Sequence, residues 1–440
     1  MSQTEASSRP PEPASSTKDG APAPSASEKT GTFRSLSGFN YRTWAVGALV
    51  SNIGTWMQRT AQDWIVLTEL TRHNATAVGT VMALQFGPQA LLLPLTGLAA
   101  DHLDRRKLLL FTQAAMGALA LGLGLLTLSG KVQLWHVYVF AFLLGCVTAF
   151  DGPTRQTFVS ELVPEEQLSN AVALNSTSFN AARLLGPALA GVLIASVGSG
   201  WVFLINAASF GAVLWSLSLL RKHELYLRER AASSRASLVD GFRYLRKRPD
   251  LRAVLLMLFL IGTFGFNFPI YISTMAVSVF HKGPGQFGLL TSLMAIGSVA
   301  GALLSARRAR PQRSLLLSGA LLFGVGLLVA ALMPSYGLFG LALVAVGIAA
   351  QTFTTTANGT IQLGTEPMMR GRVMAIFMAI ALGGTPIGAP IVGYVADAFG
   401  PRWGMGLGAL SGFAAALVGL HYLAQATTRS FEPEPPRSRS

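Results

Sequence analysis

Apolar residues in this chain come in runs of about 20, the length a helix needs to cross the hydrocarbon core of a bilayer. Polar residues gather in the gaps between the runs. The pattern predicts twelve transmembrane helices. Six lie over residues 42–67, 76–100, 108–128, 134–153, 171–195 and 201–220, and six over 251–275, 285–305, 314–333, 336–358, 371–396 and 402–424. Most gaps are short, so neighbouring helices run antiparallel. The expected fold is all-α: an N-terminal six-helix bundle over 39–220, a basic linker over 221–250 and a C-terminal six-helix bundle over 251–425.

The basic residues test this layout. With both termini placed inside, the cytoplasmic segments hold 28 of the 34 Lys and Arg residues, the outer loops 4 and the spans 2. Inner loops retain Lys and Arg, because moving one to the bilayer centre costs about 2.5–3.5 kcal/mol. A wrong span count would have mixed the two sets of loops. The expected location is a cell membrane, with both termini in the cytoplasm.

Composition agrees. Charged residues are only 12% of the chain and hydrophobic ones 51%, while soluble domains carry about twice that charge. The net charge of +14 does not point to nucleic acid, because its basic residues fall between apolar runs rather than among exposed aromatics. The single Cys146 allows no intramolecular disulfide, and the six His residues show no ligand spacing, so no metal site is expected. No Gly-rich phosphate loop and no Gly-x-Ser-x-Gly elbow are present. The chain is therefore not expected to be an enzyme or to consume ATP itself. Residues 1–38 and 426–440 are rich in Pro, Ser and Ala, lack the apolar core of a signal peptide, and are expected to be disordered cytoplasmic tails.

The two halves repeat. A shift of 202 residues lays Gly186 on Gly388, Gly191 on Gly393, Gly198 on Gly400 and Trp201 on Trp403. A doubled six-helix unit split by a basic linker is a common plan for transporters. The repeat is looser at the second and eighth spans, where Gly301 precedes Arg307 and Arg308 as Gly97 precedes Arg105 and Arg106. Ser305 stands where Asp101 would be.

The segment from Gly97 to Lys107 carries the sharpest signal. Small residues let helices approach, Asp101 supplies an anion, and Arg105, Arg106 and Lys107 form a basic cluster on a short loop. Topology alone does not require the acid; a gate that locks and unlocks does. Gly97, Asp101, Arg105 and Arg106 resemble the signature between the second and third helices of the major facilitator superfamily, departing from it at His102 and Asp104. Gly186, Pro187 and Gly191 are similar to the fifth-helix motif of that superfamily's proton-linked exporters, with Ala182 and Ala190 in place of two glycines. The stretches 51–58, 150–155 and 175–187 resemble a branch that exports drugs and siderophores. The resemblance implies that Asp101 meets the N-terminus of the eleventh helix when the inside is closed, where the helix dipole favours an anion. Asp151, near Arg155 at the inner end of the fourth span, is expected to extend this gate by pairing with Arg105.

Ionisable groups within spans are costly and usually face a cavity. Arg59 and Asp63 lie at i, i+4 in the first span, on one helix face, and Arg183 lies in the fifth. Proton coupling needs a carboxyl whose protonation responds to desolvation and to a nearby cation, and Asp63 fits that description. A static pair of Asp63 with Arg59 or Arg183 is the plainer alternative. Gly186, Pro187 and Gly191, with their counterparts Gly388, Pro390 and Gly393, suit close helix packing. Candidate cavity residues are Gln58, Gln62, Gln85, Gln89, Asn175, Asn180, Asn267, Gln351 and Asn358. Phe264, Phe266 and Phe268 could add aromatic surface, although such residues more often face lipid. A weakly charged cavity suits a small amphipathic molecule.

The expectation is a secondary transporter working by alternating access, an exporter driven by inward proton movement with no bound cofactor. It would act as a monomer on a small-molecule substrate. An importer or lipid flippase of the same fold, or a non-transporting membrane sensor, are the alternatives.

Overall fold

A computed structural model describes residues 32–226, 238–306 and 312–430; the side chains of 93, 94, 97–102, 238, 306, 313 and 423–430 lie outside the description. The N-terminal half holds α1 (Phe39–Trp64), α2 (Ala75–His102), α3 (Arg105–Leu128), α4 (Leu134–Phe158), α5 (Glu165–Val197) and α6 (Ser199–Leu219). A short amphipathic α7 (Leu238–Arg246) leads into α8 (Pro249–Leu260) and α9 (Phe268–Thr274). The C-terminal half continues with α10 (Pro284–Ala306), α11 (Arg313–Leu332), α12 (Tyr336–Gly364), α13 (Pro367–Phe399) and α14 (Pro401–Ser430). Among the described residues, ten helices are long and apolar enough to cross a membrane, with α8 and α9 counted as one. The first span, α1, is more polar, because it carries Asn52, Gln58, Arg59, Gln62 and Asp63. It packs with α5 and α6 inside the first bundle, and α2 with α4.

Several boundaries differ from those expected, each for a local reason. The fifth and eleventh helices begin early, at Glu165 and Pro367. Two acids in the first turn favour the first start and a Pro at the first position the second. The seventh span is broken: a π-helical turn over Ile261–Gly265 ends at Phe266 and Asn267, and Pro269 lets α9 restart. Of the expected N-terminal tail, residues 1–31 lie outside the described residues. Arg34–Ser37 form a 3-10 turn, and the buried Ser35 hydroxyl donates to Asn170 Oδ1 at 2.8 Å. The C-terminal tail, expected from 426, is helical to Ser430. Within the linker, α7 packs on α13, where Asp240 approaches Arg372 at 4.0 Å.

The repeat is visible in the backbone. Gly198 and Gly400 end α5 and α13 at φ +87° and +104°, a left-handed conformation that glycine adopts without a steric penalty. Their amides donate back to Ile194 O and Ala396 O. The two bundles meet through α2 against α13 and α5 against α10. Both contacts are tightest near one end of the molecule, here termed the far end, where α2 and α10 begin and α5 and α13 finish. The end carrying the α2–α3, α4–α5 and α6–α7 connections is the basic end.

Glycine makes the far-end contact possible. A methyl at Gly191 would come within 2.6 Å of Pro284 O, and one at Gly393 within 2.6 Å of Ala75 O. Gly288 faces Pro187 O, and Gly79 faces Ala389 O and Pro390 Cα. Gly186 and Gly388 pack inside their own bundles, against Trp56 and Thr263. Small residues let backbones approach where lipid supplies no hydrophobic drive. Gly388→Val should cost about 1–3 kcal/mol through overpacking and lower the melting temperature in detergent. Gly406→Ala, where an added methyl would meet no neighbour within 4 Å, should leave it unchanged.

Candidate functional site

A cavity of about 370 Å³ lies between the bundles. Trp56, Arg59, Thr60 and Asp63 of α1, Met82, Gln85 and Phe86 of α2, and Arg183 of α5 form one wall. The opposite wall comes from Phe266 and Phe268 at the helix break, Phe287, Thr291 and Met294 of α10, Gln351 and Thr354 of α12, and Thr385 of α13. Towards the far end, Trp64 of α1 stacks on Phe287 of α10, with ring centroids 5.9 Å apart and planes at 26°. The stack joins the bundles over the cavity.

Three ionisable side chains share this wall. The Arg59 guanidinium sits 5.2 Å from the ring centroid of Trp56 and 5.8 Å from that of Phe86. Such cation–π contacts hold a guanidinium without neutralising it. Among the described residues, neither Arg59 nor Arg183 forms an ion pair with Asp63 within 4.0 Å. The static pair is therefore not formed, although Asp63 lies near enough to Arg59 to interact through its charge. Arg59 Nε, Arg183 Nε and Gln85 Nε2 are buried with no acceptor. Buried polar groups are nearly always hydrogen-bonded, and these three donors border the cavity without a protein acceptor.

Of the nine polar residues expected in the cavity, Gln85 and Gln351 line it; the other seven do not. Gln58 is buried inside the first bundle, where it accepts a 2.6 Å hydrogen bond from Asn206 Nδ2 of α6. Gln62 is buried away from the cavity. Gln89 donates to Gln85 O and Asn180 to Ser176 O, each one turn back on its own helix. Asn175 is half-buried on α5. Asn267 is fully buried in the helix break, where it donates to Thr263 O at 2.8 Å and its own Oδ1 is left without a partner. Asn358 is half-buried on α12, also with an unpartnered Oδ1. The aromatic lining was undervalued by the sequence: Phe266 and Phe268 face the cavity, and Trp56, Phe86 and Phe287 join them.

The expected gate at the basic end takes a different form. The side chains of Gly97 and Asp101 lie outside the described residues, as does the basic cluster at 307–311. Arg105 does not pair with Asp151. Its Nη1 meets Glu161 Oε1 at 2.5 Å, because the 3-10 turn that follows α4 carries Glu161 back to the start of α3. Asp151 is occupied by four donors: Thr112 Oγ1 at 2.8 Å, Gln113 Nε2 at 2.6 Å, and Arg155 Nη2 and Nε at 2.9 and 3.2 Å. Arg155 Nη1 also reaches Asn52 Oδ1 of α1 at 2.9 Å. Arg106 donates twice to Leu217 O at the end of α6. These partners all belong to the N-terminal bundle, so the network braces that bundle as a rigid body.

At the far end the structure shows a residue that the sequence did not single out. Asp397, near the end of α13, accepts from the Ala75 amide at 2.7 Å, the Thr76 amide at 2.8 Å and Thr76 Oγ1 at 2.6 Å. It lies one residue beyond the expected end of its span, and its partners are 322 and 321 positions away. An acid in an otherwise acid-free exit segment was the only available signal.

The profile of a family described as transmembrane secretion effectors matches residues 30–435. The chain belongs to this family, within the major facilitator superfamily. It is 27% identical over 352 residues to the staphyloferrin A transporter of Staphylococcus aureus, which covers 79% of this chain and 87% of the relative. It is 26% identical over 371 residues to the multidrug efflux pump Tap of Mycolicibacterium fortuitum, covering 80% and 88%. Among solved structures, an inward-facing, unoccupied bacterial homologue of the human lysosomal transporter Spinster superposes with a TM-score of 0.69 at 15% identity, covering 90% of this chain and 99% of that one. A D-xylose–proton symporter superposes at 0.67 with 13% identity, covering 88% and 97%. The likenesses to solved structures show the shared fold. The protein is a multi-pass membrane transporter, not an enzyme.

Removing one partner from a buried charge pair leaves the other uncompensated, at roughly 3–5 kcal/mol. Asp151→Ala should therefore destabilise the N-terminal bundle by about 3 kcal/mol, read as a lower melting temperature. Arg106→Ala removes a charge-assisted bond to a backbone carbonyl and should cost less.

Proposed function

We propose that this transporter is a proton-coupled exporter of a small amphipathic molecule rich in hydrogen-bond acceptors. It works as a monomer by alternating access across a cell membrane, with its basic end and both termini in the cytoplasm. The orientation follows from the excess of Lys and Arg at that end. Export is supported by the names of its relatives, which include a siderophore transporter and a multidrug efflux pump.

The observation that carries the reading is the wall around Asp63. A carboxyl shares a cavity with two guanidiniums and is paired with neither, so its charge is not committed to structure. Proton arrival and departure at Asp63 change the balance with Arg59, and with it the cost of closing either end over the cavity. The aromatic wall takes the apolar body of the substrate, while the guanidiniums of Arg59 and Arg183 and the amide of Gln85 take its carbonyl, ether or carboxylate oxygens. A loaded cavity then has its polar groups satisfied, and the bundles can rock around it. Asp101, at the basic end of α2, secures the cytoplasmic closure when the far end opens.

The test uses proteoliposomes and a panel of fluorescent amphipathic dyes and macrolides. An acidic lumen should drive uptake of at least one compound against its gradient. Asp63→Asn should reduce that uptake to background while one-for-one exchange of the same compound continues, because exchange needs no proton. Gradient-driven uptake by Asp63→Asn at the wild-type level would rule out Asp63 as the coupling site. Uptake driven only by an alkaline lumen would reverse the direction, to import.

A further inference from the structure

We propose that Asp397 is the latch of the far-end seal. Its carboxylate caps α2 from the opposite bundle, holds the far end closed, and must let go in every transport cycle.

The geometry separates this contact from ordinary capping. The first turn of α2 already has a local cap, since Asn74 Oδ1 accepts from the Ala77 amide at 2.8 Å. Asp397 takes the two amides that Asn74 leaves over, Ala75 and Thr76, together with the Thr76 hydroxyl. All three bonds are short and charge-assisted, the stronger class of hydrogen bond, and the positive end of the helix dipole adds to them. A carboxylate from the other bundle is not needed to form α2. What it adds is adhesion between the bundles.

The surroundings suit a latch that can also release. Gly79 and Gly393 bring the two helices close enough for the carboxylate to reach. The other half of the seal, α5 against α10, rests on glycine contacts and one hydrogen bond, from Ser292 Oγ to Leu184 O at 2.7 Å. Among the described residues, no ion pair joins the bundles, so Asp397 brings charge to the seal. It borders a hollow at the far end, shared with Arg72, His73 and Ser278. A freed carboxylate would therefore return to a polar, open site, and release does not strand a charge in apolar surroundings. The latch also mirrors the one implied for Asp101. α2 and α13 run antiparallel and pack against each other, and Asp397 at the C-terminal end of α13 meets the N-terminus of α2.

The latch rests on the reading that the seal opens during transport, and the experiment separates the two. Lys131→Cys and Lys282→Cys, on exposed loops of opposite bundles at the far end, are spin-labelled in full-length protein that also carries Cys146→Ser. Distances are measured by pulsed electron resonance in lipid nanodiscs. Asp397→Ala should raise the ratio of long to short distances by roughly fivefold, the shift expected for loss of one helix cap. Its melting temperature should stay near that of the parent. Thr76→Val, which loses only the hydroxyl contact, should shift the ratio the same way by less. If Asp397→Ala folds and its distribution matches the parent's, the latch is overturned. If it does not fold, an unchanged distribution in Thr76→Val overturns it. If no long distance occurs in any variant, at any pH or with any transported dye, the seal never opens, and the transport cycle falls along with the latch.

Discussion

Everything in this structure depends on how closely two helix bundles can touch without sticking. At the far end they meet backbone to backbone, through Gly191 against Pro284 and Gly393 against Ala75. Inside a bilayer there is no hydrophobic gain from pressing two apolar helices together, so contact must come from packing and polar bonds. Glycine supplies close contact at one end of the molecule, and the bundles enclose a cavity beneath that contact. The seal is made of contacts that are individually small, and such contacts can part and re-form.

The cavity follows from the same constraint. Because the N-terminal bundle is braced internally, it can move as a unit. Asp151 and Arg155 tie α1, α3 and α4 together. The Arg105–Glu161 pair fastens the start of α3 to the turn after α4. Groups whose charge is committed to such bonds serve rigidity. Arg59, Asp63 and Arg183 sit in the cavity wall with no ion-pair partner among the described residues. Here the fold carries an unsatisfied electrostatic cost, and the transport reading gives that cost a purpose.

Much of the fold was legible in the sequence, and the reasons are physical. Span length is set by bilayer thickness, so the apolar runs located the helices, although α5, α12 and α14 extend beyond the expected ends. The repeat was legible because Gly198 and Gly400 occupy a backbone conformation that favours glycine. Asp63 stood out because a carboxylate inside a span is expensive. The facing of polar side chains was not legible. Each residue turns a helix by about 100°, so Gln58 and Gln85 read alike until the packing of α1 and α2 is known. One is buried against Asn206; the other lines the cavity. Pairings were harder still: Asp151 was nearer in expectation to Arg105 than Glu161 was, yet a 3-10 turn reversed the order. Asp397 was marked only by its acid-free surroundings, because its importance comes from amides more than three hundred residues away.

In alternating access, one cavity opens to one face of the membrane at a time. The direct measurement places a single thiol in its wall, Thr291→Cys with Cys146→Ser, and applies a membrane-impermeant thiol reagent from either face of oriented vesicles. Alternating access should give labelling from the basic-end face at rest, and from the far-end face only while substrate or a proton gradient drives turnover. Labelling from both faces at rest would describe a channel, and labelling from the far end alone would rule out a far-end seal.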